Sequence, residues 1–193
     1  MLRLADSQGK LGTLISMACR GAGSLSSLRS ASLAQPRGVG DLDAVRDALT
    51  TLAREYESVR ASMPKSDERT RRMDAVASRM RATAIGAQTL VRTFAGSESA
   101  GERLVAVAIL QDAPDPVWVT WLGERLAAEM AFVGYHAAVA LRSAARLLGP
   151  EHAREVAAAV AVAHSSLGSD DQSSDRARVL DGATRELRGV GAL

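Results

Sequence analysis

The side chains of this sequence whose chemistry is easiest to recognise are three histidines and one cysteine: His136, His152, His164 and Cys19. His152 and Glu155 stand three residues apart, about one turn of a helix, so both could reach one metal ion. A zinc site takes three or four protein ligands, and the sequence offers no second pair of this kind. A nucleophilic Cys–His pair would require Cys19 to dock from the amino-terminal segment. We therefore predict no catalytic residue, no metal and no cofactor, and a protein that is not an enzyme.

Aromatic side chains are rare, and the segment FVGYH places two of them beside a histidine. Phe132, Tyr135 and His136 lie where one predicted helix gives way to the next, with Gly134 freeing the backbone. Packing within this joint is one interpretation. The other is a partner or ligand site, because joints between helical repeats line the concave surfaces that such proteins use for binding. These three residues are the first candidates for partner binding.

Arginines on the predicted helices supply the second set of candidates for partner binding, namely Arg71, Arg72 and Arg79. On a helix of about 100° per residue they do not form one stripe. Aromatic side chains that would stack on single-stranded bases are nearly absent from this region. The pattern favours solvated faces and salt bridges. A nucleic-acid-binding regulator that uses the basic amino-terminal half stays open as the alternative function.

Composition and charge indicate which elements must position these side chains. Hydrophobic residues make up 47% of the chain and aromatic residues only 3%, so the core is expected to consist of Ala, Leu and Val in close-packed helices. We find no alternating strand pattern. Residues 1–96 carry 15 basic and 9 acidic side chains, and residues 97–193 carry 9 and 13. The two halves are therefore predicted to differ in surface potential, which could steer self-assembly.

A regular heptad pattern begins after residue 41 and predicts an antiparallel helical hairpin over residues 41–96. Pro64 ends its first helix, and Ser66 is the expected N-cap of the second. The second helix is expected to continue to Gly96. The apolar positions of the first helix are spaced alternately three and four residues apart: Leu42, Val45, Leu49, Leu52, Tyr56, Val59 and Met63.

Residues 97–168 repeat a pattern of paired helices at a spacing of about 33 residues, which is typical of α-solenoids. Ser99 is expected to cap the first of these helices, and Asp115 with Pro116 to begin the second. The run GERLVAVAILQDAPDPVWVTWLGERLAAE, followed by FVGYHAAVALRSAARLL, resembles HEAT-type helical repeats. The predicted fold is therefore all-α: a heptad-patterned hairpin followed by a short HEAT-like solenoid or helical bundle. A polar loop and a capping helix complete it over residues 169–193.

The segments from AREYESVR through DERTRRMDAV to GYHAAVAL are also similar to helical segments that accompany effector domains in bacterial conflict and signalling proteins. Both resemblances imply a module for binding or regulation. We therefore predict a non-enzymatic protein-binding adaptor or regulatory scaffold. Self-association as a homo-oligomer and a role in a bacterial defence or signalling system are the secondary expectations.

Residues 1–40 are rich in Ser, Gly and Arg and nearly free of acidic residues. Three interpretations stay open for them: a mobile or loosely helical lead segment, an organellar transit peptide, and a cleaved export signal. A single cysteine allows no intramolecular disulfide, and no stretch reaches the roughly 18 apolar residues of a membrane span. A cytoplasmic protein without a membrane span is the corresponding prediction.

Overall fold

A computed structural model describes residues 39–168, 171 and 173–189 of the chain. This part is all-α, as predicted, and has no strands. None of its helices combines the length and the apolar character that crossing a bilayer requires. Residues 1–38 of the predicted lead segment, including Cys19, lie outside the described residues. Within the described residues there are eight α-helices: α1 Val39–Ser62, α2 Asp67–Thr83, α3 Val91–Ala95, α4 Ala100–Asp112, α5 Val119–Ala128, α6 Ala131–Leu147, α7 Ala153–Ser165 and α8 Asp175–Gly189.

The heptad positions of α1 face the interior, and the helix packs on α2 and α4. Leu49, Leu52 and Tyr56 are buried. The helix ends two residues before Pro64, whose ring and missing N–H stop a helix. The predicted N-cap at Ser66 is confirmed, since its hydroxyl accepts the backbone N–H of Arg69 at 3.2 Å.

The second helix of the predicted hairpin is not continuous, in contrast to the expectation from its heptads. It ends at Thr83, and the chain then turns through Gly86, whose φ of 79° lies in the left-handed region that favours glycine. A 3₁₀ turn at Gln88–Leu90 and the short α3 follow. Ala87 and Phe94 are nevertheless buried, because the turn returns α3 to the core against α4.

Two helices, α4 and α6, form the centre of the fold. α4 packs on α1, α2, α3 and α6, and every residue from Leu104 to Gln111 is buried. α6 packs on α4, α5, α7 and α8. The predicted caps at Ser99 and Asp115 are confirmed by side-chain oxygens that accept the N–H groups of Glu102 and Val117. α4 and α5, which the repeat pattern paired, share few direct backbone contacts.

The approach of α4 to α1 depends on Gly101. A Cβ atom there would lie 2.4 Å from the carbonyl oxygen of Ala53, closer than any real contact. The Glu57 carboxylate of α1 joins the same end of α4, since it accepts the Ser99 hydroxyl at 2.7 Å and the Gly101 N–H at 3.1 Å. This contact fixes the first helix against the centre of the fold.

A buried ion pair holds the segment that leads into α6. The Glu129 side chain is 3% exposed and accepts hydrogen bonds from the Arg103 guanidinium of α4. Arg125 lies 3.6 Å from the same carboxylate. Arg103 also donates to the Ser97 carbonyl at 2.9 Å. The joint between α5 and α6 is thereby tied to α4, which positions the beginning of α6.

The predicted carboxyl-terminal helix is present as α8, and it covers α6 and α7. Its apolar residues Ala177, Leu180, Ala183 and Leu187 are all buried. Residues 169, 170, 172 and 190–193 of the predicted loop and capping segment lie outside the described residues.

Candidate functional site

The three joint residues lie together at the beginning of α6 and meet a residue of α1. Phe132 and His136 are one turn apart on α6, with ring centroids 4.7 Å apart, and Tyr135 lies 5.4 Å from His136. Tyr56 of α1 stacks on Phe132 at 5.6 Å and an interplanar angle of 29°. Tyr56 and His136 are buried, whereas Phe132 and Tyr135 are half-buried. The aromatic cluster therefore has a covered side and an accessible side.

An open groove of about 600 Å³ runs along the accessible side of this cluster. We call it the junction groove, because α1, the turn before α2, α2 itself, the start of α6 and the residues around the start of α8 all contribute to it. Its apolar surface comes from aromatic and methionine side chains, and its rim is charged. It is lined by Tyr56, Arg60, Lys65, Arg69, Thr70, Met73, Asp74, Met130, Ala131, Phe132, Tyr135, Asp171, Ser174, Asp175 and Arg176.

Three cations of the junction groove, Arg60, Lys65 and Arg69, have no carboxylate within 4 Å among the described residues. Arg69 donates to the Met63 carbonyl at 3.2 Å, and its buried Nε has no partner in the described part of the chain. Arg60 contacts the sulfur of Met130. All three cations belong to the end of α1, the following turn or the first turn of α2. One end of the groove therefore carries a concentrated positive charge.

The charged groove residues around the start of α8 are paired with neighbouring side chains. Arg176 pairs with Asp171 at 2.5 Å, and Asp175 pairs with Arg178. Asp74 of α2 lies 3.9 Å from Nε2 of His136. Burial raises the pKa of Asp74, and Arg81 lowers it in part. The groove thus carries uncompensated positive charge at the turn between α1 and α2, whereas its other charged residues are of both signs.

His136 lines a second cavity of about 770 Å³, and Asp74 and Tyr135 line both this cavity and the junction groove. The Gln111 amide nitrogen lies 2.8 Å from the His136 carbonyl and 3.2 Å from its Nδ1. Since a carbonyl accepts only, the amide nitrogen is the donor there, and it can donate its second hydrogen to Nδ1. This arrangement assigns the ring proton to Nε2. Burial, assisted by the charge of Arg81, lowers the pKa of His136 to about 4.

The candidate arginines of α2 lie outside both cavities and are already paired. Arg71 and Arg72 both contact the Glu68 carboxylate, each at 2.9 Å, and Arg79 contacts Glu55 at 2.7 Å. Their guanidinium groups are exposed. The hydrogen bonds from Arg71 and Arg72 lower the pKa of Glu68. The structure therefore brings Phe132, Tyr135 and His136 together in one site and places Arg71, Arg72 and Arg79 elsewhere.

The two remaining histidines do not join this site. His152 lies 3.6 Å from Glu155, the pair noted in the sequence, and His164 lies 3.7 Å from Asp181 of α8. Among the residues that the structure describes, no cluster of three or more His, Cys, Asp or Glu side chains could hold a metal ion.

Sequence reasoning missed the part of the site that comes from α1 and α2. The heptad pattern places Tyr56 in the apolar seam of α1, and the sequence analysis did not select Arg60 or Arg69 as site residues. The proximity of these residues to one turn was visible in the sequence, because the chain reverses between Arg60 and Arg69 at Pro64. The contact of Tyr56 with Phe132 of α6 was not visible, since only the tertiary fold creates it.

No protein-family model, curated protein or solved structure matches this chain. The interpretation of the site accordingly depends on its geometry and charge.

Proposed function

We propose that this chain is a non-enzymatic protein-binding adaptor or regulatory scaffold, and that it holds a segment of its partner in the junction groove. The observation that carries the proposal is the combination of half-exposed Phe132 and Tyr135 with the three unpaired cations in one groove. Aromatic side chains and arginine are the residues most enriched at the energetic centres of protein interfaces. A volume of about 600 Å³ suits a few side chains of an inserted segment.

The chemistry of His136 supports the non-enzymatic part of the proposal. A general base works best when its pKa lies near the working pH, and a pKa of about 4 makes this imidazole a weak base at neutral pH. Its neighbour Asp74 lies 3.9 Å away, beyond hydrogen-bond distance. The Gln111 contacts instead give His136 a structural role between α4 and α6.

Other parts of the prediction remain proposals of the same kind. We propose that α4–α7 correspond to two HEAT-like helix pairs, that the protein self-associates, and that it serves a bacterial defence or signalling system in the cytoplasm. Light scattering at low and high salt tests self-association, since a discrete oligomer held by apolar contacts keeps its mass when salt is added.

Binding of nucleic acid is the alternative that the sequence left open. A polyanion is held by cations that are free to replace its counterions. Arg71, Arg72 and Arg79 already contact glutamates, so their charge is partly compensated. The observations therefore favour the protein partner.

The proposal is tested by selecting displayed random peptides of about twelve residues on the immobilised full chain. Retained peptides are then measured against Phe132→Leu and Tyr135→Ala variants by fluorescence polarisation. We expect both variants to weaken binding by about tenfold or more, because each removes contact area at the groove. The matched control is Arg71→Gln with Arg72→Gln, which alters exposed charges outside the groove and should leave affinity within about twofold.

Two results contradict this proposal. One is the failure of the wild-type chain to retain any peptide above the background of an unrelated helical protein. The other is the retention of peptides whose affinity both groove variants leave unchanged. Urea unfolding of each variant shows that the comparison is made between folded proteins.

A further inference from the structure

We infer that the occupant of the junction groove is an acidic segment of a partner protein, in which a carboxylate side chain lies beside an apolar one. This inference rests on the proposed function and names the chemistry of the partner. It follows from three observations: the distribution of charge in the groove, the partial burial of Arg60 and Arg69, and the apolar surface beside them.

The charge distribution has a clear direction. Arg60, Lys65 and Arg69 lie at the end of the groove formed by the turn between α1 and α2, and none has a carboxylate partner among the described residues. The remaining cation of the groove, Arg176, is already paired with Asp171. A carboxylate of the partner therefore meets uncompensated positive charge only at the turn between α1 and α2.

Partial burial makes Arg60 and Arg69 different from the surface arginines. Both are half-buried, and the Nε of Arg69 is buried without a partner among the described residues. A buried guanidinium N–H group that has lost water without gaining an acceptor costs free energy. A carboxylate can accept two hydrogen bonds from one guanidinium, which makes such pairs geometrically specific. Arg71 and Arg72 have already satisfied this requirement with Glu68.

The apolar surface lies directly beside these cations. Phe132 stacks on Tyr56, Met73 lies beneath, and Met130 contacts Arg60 through its sulfur. Met130 is 52% exposed and therefore accessible to a partner. Flexible methionine side chains adapt to varied apolar partners. A segment with a leucine or phenylalanine next to its carboxylate would therefore satisfy both parts of the groove.

The same distribution of charge distinguishes a peptide from a nucleic acid. A phosphate backbone presents negative charge at every nucleotide and needs cations along its whole path. In the junction groove, the described cations without a carboxylate partner are Arg60, Lys65 and Arg69, whereas Arg176 is already paired with Asp171. A continuous polyanion would therefore meet uncompensated positive charge only at the turn between α1 and α2, whereas a peptide can direct its one or two carboxylates to that turn.

The experiment compares the composition of the peptides retained by the full chain with that of the unselected library. We expect the retained peptides to be enriched in Asp and Glu next to Leu, Ile, Met or Phe. Each retained peptide is then synthesised with its acidic residues changed to Asn or Gln. The amide version of a peptide should bind the wild-type chain about tenfold more weakly than the acidic version does. The double variant Arg60→Gln with Arg69→Gln should bind the acidic version about tenfold more weakly than the wild-type chain does. The same double variant and the wild-type chain should bind the amide version with similar affinity.

The possible failures are distinguishable. If peptides bind the groove but show no acidic bias, or if the amide versions bind equally well, this inference is overturned while the proposed function stands. If no peptide is retained, both are overturned. A single-stranded oligonucleotide of about twelve nucleotides serves as the polyanion probe. If it competes for the groove more strongly than the acidic peptides do, the partner is a nucleic acid and the inference is wrong.

Discussion

The buried imidazole of His136 makes the stability of this fold depend on pH. Its pKa is about 4 in the folded chain, because burial disfavours the charged ring and Arg81 repels the added proton. An unfolded histidine titrates near about 6.5. The unfolded chain therefore binds this proton first as the pH falls. The contribution of His136 to stability is complete above about pH 6.5 and is lost as the pH falls through about 4.

The size of this effect follows from the two pKa values. A difference of about 2.5 in pKa corresponds to about 3 kcal/mol of unfolding free energy, and this full loss is reached only once the pH is below the pKa of the folded state. By about pH 5 the loss is about 2 kcal/mol, which is a large fraction of the stability of a small domain. Burial raises the pKa of Asp74, and this carboxyl contributes with the opposite sign. A comparison of variants at the same pH isolates the contribution of His136.

The assay is urea unfolding near pH 7 and near pH 5, followed by the fluorescence of Trp118 and Trp121. His136→Gln removes the titrating group. When the pH is lowered from near 7 to near 5, the unfolding free energy of this variant should therefore fall by about 2 kcal/mol less than the unfolding free energy of the wild type. Leu187→Ala is the control, because it lowers stability at the far end of α8 and retains the imidazole. It should keep the full pH dependence of the wild type.

The reasoning is refuted if the wild type and His136→Gln lose stability in parallel between these conditions. Should His136→Gln fail to fold, the ring proton resonances of His136 in the wild type give the answer directly. They should show a neutral ring near pH 5, and a midpoint near 6.5 would contradict the burial argument.

Two further predictions concern the contacts that place the groove. Gly101→Ala should lower the unfolding free energy by about 1–3 kcal/mol, because the new Cβ would meet the Ala53 carbonyl; unchanged urea midpoints would contradict the close approach of α4 to α1. Arg103→Met should cost about 3 kcal/mol by leaving Glu129 buried with only Arg125 nearby. Adding Glu129→Leu should restore part of that loss, and a purely additive double variant in the same urea assay would argue against the pair.

The local elements of this fold could be predicted because their signals lie in neighbouring residues. Ser66, Ser99 and Asp115 each cap the helix that the sequence assigned to them. The break in the second helix was missed, because the buried heptad positions continue through it. Gly86 was the signal available in the sequence, because glycine readily adopts the left-handed φ that this turn requires. Regular spacing of apolar residues thus predicted burial more reliably than it predicted continuity of the helix.

The candidate site could be predicted only in part, for a related reason. Phe132, Tyr135 and His136 are close in sequence, so their clustering on one end of α6 follows from helical spacing alone. Arg69 joins them through the packing of distant helices. The sequence likewise does not show which charged residues form ion pairs. Arg71 forms an ion pair with Glu68, whereas nearby Arg69 donates only to a backbone carbonyl among the described residues. The distinction between a compensated and an available cation therefore required the structure.

The central claim is that the junction groove holds a segment of a partner protein. Photocrosslinking from a residue that lines the groove tests it most directly. Tyr135 is replaced by the photoreactive p-benzoylphenylalanine, and the chain is irradiated with a retained acidic peptide. The account predicts a covalent adduct from this position and none from the same replacement at Ala161, which is exposed on α7. Equal adducts from both positions, or an adduct from Ala161 alone, would contradict it.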